Sequence, residues 1–366
     1  EFESDTLSEY PIVISQQTAV LTKESLEEMR ERMKNGEENL VKYPSMPYVL
    51  PYDKDADNVM HKNALDQRYV DYIYKIDPSL INGISFTNST AFNLLGDING
   101  KIGLVSSYDI NFSALPKNFS SNEGVLEKNY DLLTGTFPKS KDDLLLIVDS
   151  QNRVDIKVLS SLGVAYEDSE QIPFDKLLGR GYRLALNDDY YNQMDAYFVI
   201  NTGFDAIYKN AVPLKICGIA RLKQQSEIPT LQDIGIFYTQ ELVEFLIVKN
   251  SDSQIVQAQR EASHNVLTGE EFGTSEDGAQ DKAQILAYLG AYSTPYAIMI
   301  YPKDFDSKDV ILKYLDVYNE EKSHEEMIVY TDLAKIISTL SGTIMDAITI
   351  VLIAFSSISL VVSVFM

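Results

Sequence analysis

An acidic segment comes nearest to a metal-binding pattern in this sequence. The segment Asp53–Asn58 begins like a calcium-binding loop, with an aspartate at every second position. Such a loop needs glycine at its sixth position and a bidentate glutamate at its twelfth. This sequence has Asn58 and Ala64 at those positions. We interpret the segment as an acidic loop, and the alternative is a weak divalent-cation site.

The other residue types that carry out catalysis do not form a recognisable set. His61, His264 and His324 are far apart in the sequence and form no H-x-x-x-H pair. The segment Gly96–Lys101 is shorter than a phosphate-binding loop and has no hydroxyl residue after its lysine. Cys217 lies in an apolar strand pattern, which is typical of a small core residue. We therefore predict a domain that is not an enzyme, with no catalytic, cofactor-binding or metal-binding residues of its own.

Charge and composition restrict the class of protein. The 366 residues include 31 Lys+Arg and 54 Asp+Glu, which gives a formal net charge of −23. Nucleic-acid binding requires clustered basic side chains, so this balance argues against a nucleic-acid partner. Apolar residues make up 45% of the chain, too many for an intrinsically disordered protein. The single cysteine allows no internal disulfide.

Strand and helix patterns at both ends of the chain differ from those in the middle. Apolar runs at 11–15, 295–302 and 327–330 predict strands. A helix capped by Asp306 or Ser307 is predicted between the last two runs. We predict a mixed α+β fold in which residues 1–124 and 281–330 form one α/β subdomain. An inserted mixed α/β subdomain then spans 125–280, where strands at 143–148 and 214–220 alternate with short helices and a polar loop covers 268–282.

The C-terminal segments predict a helix that continues towards a membrane. Within 331–346 an apolar stripe recurs at three- and four-residue steps, and Thr331 or Asp332 could cap the helix. The stripe consists of Leu333, Ile336, Ile337, Leu340 and Ile344. Residues 347–366 are 20 uncharged residues, which would span about 30 Å as a helix. We predict the start of a transmembrane helix there; the alternative is a buried core helix. The stripe could pack on its own domain or pair in a dimer.

The ends of the sequence fit an excerpt of a longer membrane protein. It begins at Glu1 without an initiator methionine or a signal peptide, and it stops at Met366 inside the apolar segment. Because basic residues favour the cytoplasmic side of a membrane, the acidic body is expected outside the cytoplasm.

Several phrases together resemble the extracytoplasmic domain of a MacB-like (FtsX-like) ABC-transporter permease, in the large-loop form found in Gram-positive bacteria. These phrases occur in the same order as in that family and cover nearly the whole chain. They are Leu7–Ser15, Leu133–Asp143, Leu214–Ile219, Tyr301-Pro302 before the final helix, and Ala354–Ser363.

The resemblance implies a definite layout and a set of partners. A porter-like subdomain would be built from both chain ends, and residues 1–330 would lie outside the cell membrane. A stalk helix, here Thr331–Asp346, would carry motion driven by an ATP-binding cassette to the outer domain, which is called mechanotransmission. The resemblance also implies a permease homodimer and ATP bound by the cassette rather than by this domain. The middle of the chain is longer and more acidic than in Gram-negative relatives, which leaves a periplasmic adaptor open.

These observations lead to a functional hypothesis and two alternatives. The chain is expected to bind a substrate or an accessory extracellular protein during export or peptide resistance. Its acidity would attract cationic peptides over long range. One alternative is the sensory ectodomain of a membrane receptor, which would share an α/β body on a membrane helix. The other is an FtsX-like regulator of a cell-wall hydrolase.

Overall fold

A computed structural model describes residues 10–19, 60–118, 124–167, 171–224, 233–274, 276–323, 326–333 and 335. Helices and strands alternate through these residues, which confirms the predicted mixed α+β fold. Within them, no helix has both the length and the apolar composition needed to cross a bilayer. The predicted membrane segment 347–366 and the acidic segment Asp53–Asn58 lie outside the described residues.

Most of the strands are short. In chain order they are β1 (Ile12–Ser15), β2 (Gln17–Ala19), β3 (Met60–Lys62), β4 (Ile81–Thr87), β5 (Asn93–Ile98), β6 (Lys101–Val105), β7 (Ser113–Ala114), β8 (Lys117–Asn118), β9 (Tyr130–Gly135), β10 (Asp143–Val148), β11 (Gly181–Ala185), β12 (Tyr191–Met194), β13 (Tyr197–Ile200), β14 (Val212–Leu222), β15 (Gly235–Tyr238), β16 (Ala297–Pro302) and β17 (Thr331–Asp332).

The longer helices occur in the second half of the chain. The α-helices are α1 (Gln67–Ile73), α2 (Val125–Asn129), α3 (Ile156–Ser161), α4 (Asn187–Tyr190), α5 (Phe204–Asn210), α6 (Gln240–Asn250), α7 (Gln254–Glu261), α8 (Glu276–Tyr288) and α9 (Phe305–Asn319). Short 3₁₀ turns cover Pro78–Leu80 and Phe174–Lys176. The predicted loop over 268–282 is wrong in its second half, because α8 begins at Glu276.

The chain divides into two compact units. One contains the described residues of Glu1–Leu65 and Asp304–Met366, and the other is Asp66–Lys303. The first unit therefore combines residues from both ends of the chain. The predicted subdomain limits at 124 and 280 stay a prediction.

A curled mixed sheet organises the unit Asp66–Lys303. Its described strands follow the order β6-β5-β11-β14-β10-β15-β7, and β9 also pairs with β14. β14 pairs in parallel with β10 and antiparallel with β11 and β9. A second set of strands in this unit is antiparallel, with β4 between β16 and β8.

Strand β10 is covered on both faces of the sheet, which explains its uninterrupted apolar run. All five residues from Leu144 to Val148 are buried. Leu144, Leu146 and Val148 belong to one core, which also contains the buried face of α6. Leu145 and Ile147 belong to another core with several aromatic side chains. Because successive residues of a strand point to opposite faces, a strand covered on both faces is apolar throughout.

A close approach between strands fixes one glycine. Gly135 has φ 78° at the end of β9. A Cβ there would lie 2.2 Å from the carbonyl oxygen of Cys217 on β14. Only glycine fits this position, since the conformation is left-handed and no space is left for a side chain.

Candidate functional site: the junction of the two chain ends

The first and last described strands pair with each other. In the antiparallel pair β1–β17, Ile12 lies opposite Asp332 and Val13 lies opposite Thr331. Ile12 and Ile14 are fully buried, so β1 is anchored by one apolar face. The N-terminal and C-terminal parts of the described chain therefore meet side by side.

The predicted helix begins after Asp332. Thr331 and Asp332 are strand, so Thr331, one of the two predicted caps, is wrong as the cap. The physical reason is that both residues pair with β1. Helical geometry begins at Leu333 and is also present at Lys335. The other predicted stripe residues lie outside the described part of the chain: Ile336, Ile337, Leu340 and Ile344.

Asp332 caps the helix that follows it. The backbone N–H of Lys335 donates to Oδ1 of Asp332 over 3.2 Å. A side-chain oxygen that accepts from the third helical residue satisfies one of the free N–H groups of a helix start. Asp332, one of the two predicted caps, is confirmed. The same residue therefore ends a strand and starts a helix.

A buried lysine pairs with this aspartate. Lys308 on α9 is 2% exposed, and its Nζ lies 2.5 Å from Oδ1 of Asp332. The same Nζ lies 3.5 Å from the carbonyl oxygen of Tyr10. Lys308 also sits in the first turns of α9, where the helix dipole disfavours a cation. The carboxylate of Asp332 supplies a counter-charge that opposes both effects.

The N-terminus of α9 differs from the prediction. The side chain of Asp304 accepts from the backbone N–H of Ser307, so the helix begins at Phe305. The predicted caps Asp306 and Ser307 are wrong, because both already lie within the first turn. Starting at Phe305 places Lys308, Ile311 and Leu315 on the buried side of the helix.

Two asparagine side chains hold the segment that leads into β17. The amide nitrogen of Asn63 donates to the carbonyl oxygens of Ser15 and Val329, each over 2.7 Å. Its amide oxygen accepts from the N–H of Val329 over 2.7 Å. Asn319, near the end of α9, pairs in the same two-bond manner with the backbone of Ile328. The segment 327–330, predicted as a strand, is not one, because these side chains take the place of a neighbouring strand.

Further contacts join the same parts of the chain. His61 Nε2 lies 2.7 Å from the carbonyl oxygen of Met327. The hydroxyl groups of Thr18 and Thr331 are 3.3 Å apart. Tyr330 donates from its hydroxyl to Asp316 on α9 over 2.7 Å. Burial, followed by this hydrogen bond and the charge of Asp316, raises the pKa of Tyr330. We call Asn63, Lys308, Asn319 and Asp332 the junction residues.

The junction residues join the segment 328–332 to α9 and to β1. Within the described residues, no group of three or more His, Cys, Asp or Glu side chains could hold a metal ion. None of the junction residues except Asp332 was indicated by sequence reasoning. An isolated lysine in an amphipathic helix carries no signal of burial, and neither asparagine lies in a motif.

The remaining candidates from the sequence have structural roles where they are described. Asn99 and Gly100 have positive φ and form the turn between β5 and β6, so Gly96–Lys101 is a hairpin. Cys217 is half-buried, and its Sγ donates to the carbonyl oxygen of Thr136. Burial, with a smaller effect from Asp143, raises the pKa of its thiol. His324 lies outside the described residues.

Known proteins offer no match. Compared with models of protein families, with curated proteins and with solved structures, the chain matches none. The interpretation of the junction therefore depends on its own geometry.

Proposed function

We propose that this chain is the non-catalytic extracytoplasmic body of a membrane permease of the MacB-like (FtsX-like) type. It binds a substrate or an accessory extracellular protein outside the cell membrane. A cytoplasmic ATP-binding cassette, on the same chain or on a partner, drives its motion, and the permease acts as a homodimer. The helix that begins at Leu333 couples the two sides of the membrane.

The observation that carries this proposal is the pairing of β1 with β17. A body inserted between two membrane helices must send both ends of its chain in the same direction. The pairs Ile12–Asp332 and Val13–Thr331 place those ends next to each other. Many domains have neighbouring termini, so the junction residues supply the second support. Among them, Lys308 and Asp332 form a buried charge pair that connects the start of the helix to α9.

The first experiment tests coupling in the full-length protein with its ATP-binding partner in lipid nanodiscs. ATP hydrolysis is measured with and without a lysine-rich amphipathic peptide. Ile337→Pro should interrupt the predicted helix at a local cost of about 3 kcal/mol. We expect it to abolish peptide-stimulated hydrolysis, whereas the matched variant Ile337→Ala keeps the stimulation. Equal stimulation in both variants would count against a coupling helix.

A second experiment tests the placement of the body. In a Cys217→Ser background, Ser150→Cys introduces one thiol at an exposed turn. A membrane-impermeant maleimide should label it in intact cells as completely as in lysed cells. Labelling only after lysis would place the body in the cytoplasm and contradict the proposal. Labelled cells without any ATP-dependent activity would instead support the sensory alternative.

A further inference from the structure

A cavity of about 330 Å³ lies within the unit Asp66–Lys303. Its lining comes from β4, the segment that follows it, β7, the start of β9, β15 and β16. This volume falls at the lower end of the range for small-molecule sites, which is about 300–1,000 Å³. The cavity is separate in sequence from the junction residues.

Aromatic rings dominate part of the lining. The ring centroids of Phe92 and Phe112 are 5.0 Å apart, and each ring lies 4.6 Å from Tyr238. Phe112 and Tyr238 are 8% and 7% exposed, so this cluster is held by packing. The faces of such rings carry negative potential, which attracts cations.

Further aromatic groups and one carboxylate complete the lining. Tyr130 and Tyr301 are each 4% exposed and belong to the core behind β10. Asp233 is exposed. Among the described residues that line the cavity, it is the only charged one. Asp233 and Tyr130 line the same cavity. Burial, followed by the nearby Tyr301 and Asp233, raises the pKa of Tyr130.

The polar groups that remain in the lining are uncharged hydroxyl and amide groups. Ser85, Thr87 and Ser113 contribute hydroxyl groups. The described lining contains no lysine, arginine or histidine. An anionic ligand would therefore meet the carboxylate of Asp233 without a compensating cation, and burying an unpaired charge is costly. A compact cation with an apolar surface meets aromatic side chains and a counter-charge together.

We propose that this cavity binds a small organic cation, a free alkylated amine of the quaternary-ammonium class. Its methyl groups contact the aromatic lining, and the carboxylate of Asp233 balances its charge. The inference does not depend on the proposed transport function, because binding can be measured on the chain by itself.

The test titrates the purified 366-residue chain with choline in a maltoside detergent by isothermal calorimetry. The neutral comparison is 3,3-dimethylbutan-1-ol, which has the same shape with carbon in place of nitrogen. We expect choline to bind at least about tenfold more tightly than the neutral alcohol. Equal affinity of the two compounds, or no saturable binding of choline, would overturn the proposal.

Variants locate the binding site. Asp233→Asn should weaken choline binding about fivefold and leave the fold intact, because the side chain is exposed. The matched variant Asp131→Asn removes the same charge next to Tyr130 on β9, at an exposed residue outside the lining, and should change affinity less than about twofold. Tyr301→Phe keeps the ring and should keep affinity, whereas Tyr301→Leu should lose about fivefold. If Asp131→Asn has the larger effect, the site is wrongly placed.

A third ligand distinguishes the source of the cation. Phosphocholine carries the same quaternary ammonium group and adds an anionic phosphate. Repulsion from Asp233 should make it bind at least about fivefold more weakly than choline. Tighter binding of phosphocholine would assign the cavity to a lipid headgroup and overturn the proposal of a free amine.

Discussion

Removing the negative partner of the junction lysine should destabilise the first unit strongly. Asp332→Asn keeps the shape and the capping oxygen but leaves the ammonium of Lys308 without its counter-charge. That group is 2% exposed, and its other described contact is the carbonyl of Tyr10 at 3.5 Å. Breaking one side of a buried pair costs about 3–5 kcal/mol, since a buried charge remains uncompensated.

A second substitution should reverse part of that loss. Lys308→Met in the Asp332→Asn background removes the buried charge and keeps the apolar stem. We expect the double variant to be at least about 1 kcal/mol more stable than Asp332→Asn, because apolar replacements of buried pairs are often nearly neutral. High salt should change neither result much, since buried pairs are weakly screened. Lys313→Met, at an exposed position of the same helix, is the matched control and should change stability by less than about 0.5 kcal/mol.

Urea unfolding followed by circular dichroism reports the loss of stability for the chain as a whole. Hydrogen–deuterium exchange shows in addition whether the loss is confined to the junction. Peptides that cover β1 and β17 should lose protection about a thousandfold in Asp332→Asn, as expected for a loss of about 4 kcal/mol. Peptides from β10 should stay protected. If the double variant is less stable than Asp332→Asn, or if β10 loses protection equally, the reasoning about a buried pair is refuted.

Three further changes follow from the geometry. Asn63→Leu should lower the free energy of unfolding by about 3 kcal/mol, because three hydrogen bonds of 2.7 Å are lost. Asn319→Leu loses two hydrogen bonds and should lower the free energy by less in the same urea titration. The reverse order would contradict the role given to these two side chains. Gly135→Ala should cost about 3 kcal/mol and Gly100→Ala only about 1 kcal/mol. The two φ angles are 78° and 83°, but a Cβ at Gly100 meets nothing within 4 Å, so equal losses in melting experiments would refute the steric explanation. Burial, followed by Glu244 and Glu241, raises the pKa of Tyr74 to about 12. The contribution of Tyr74 to stability should therefore be constant below pH 10 and be lost as pH rises towards 12. Absorbance at 295 nm should show delayed ionisation that Tyr74→Phe reduces.

Elements with a clear pattern could be predicted from the sequence. The apolar run at 143–148 is β10, and the predicted strand at 214–220 lies within β14 at Val212–Leu222. Helix α8 could not be found in this way, because its first turns, from Glu276, read as polar loop sequence. Pattern reasoning also placed a cap at Asp332 without showing that the residue is part of a strand.

The sites depend on contacts that spacing does not encode. Lys308 lies in α9 and Asp332 lies in β17, so the two residues are not neighbours in the sequence. The burial of Lys308 follows only from the packing of α9. The cavity brings together residues as far apart as Phe92 and Tyr301. Sequence spacing does not show that these two aromatic residues line one space, because that depends on how the strands of this unit pack.

The pairing of β1 with β17 also determines how the body would respond to tension. A pull on the chain before Ile12 and a pull on the helix after Asp332 arrive at the same rung of the ladder. Such a load peels an antiparallel pair one rung at a time instead of shearing all rungs together, and peeling yields at lower force. The bond from Asp332 to Lys308 leads part of that tension into α9 before the rung opens. The paired strands β1 and β17 would thus hold under small forces and separate under large ones.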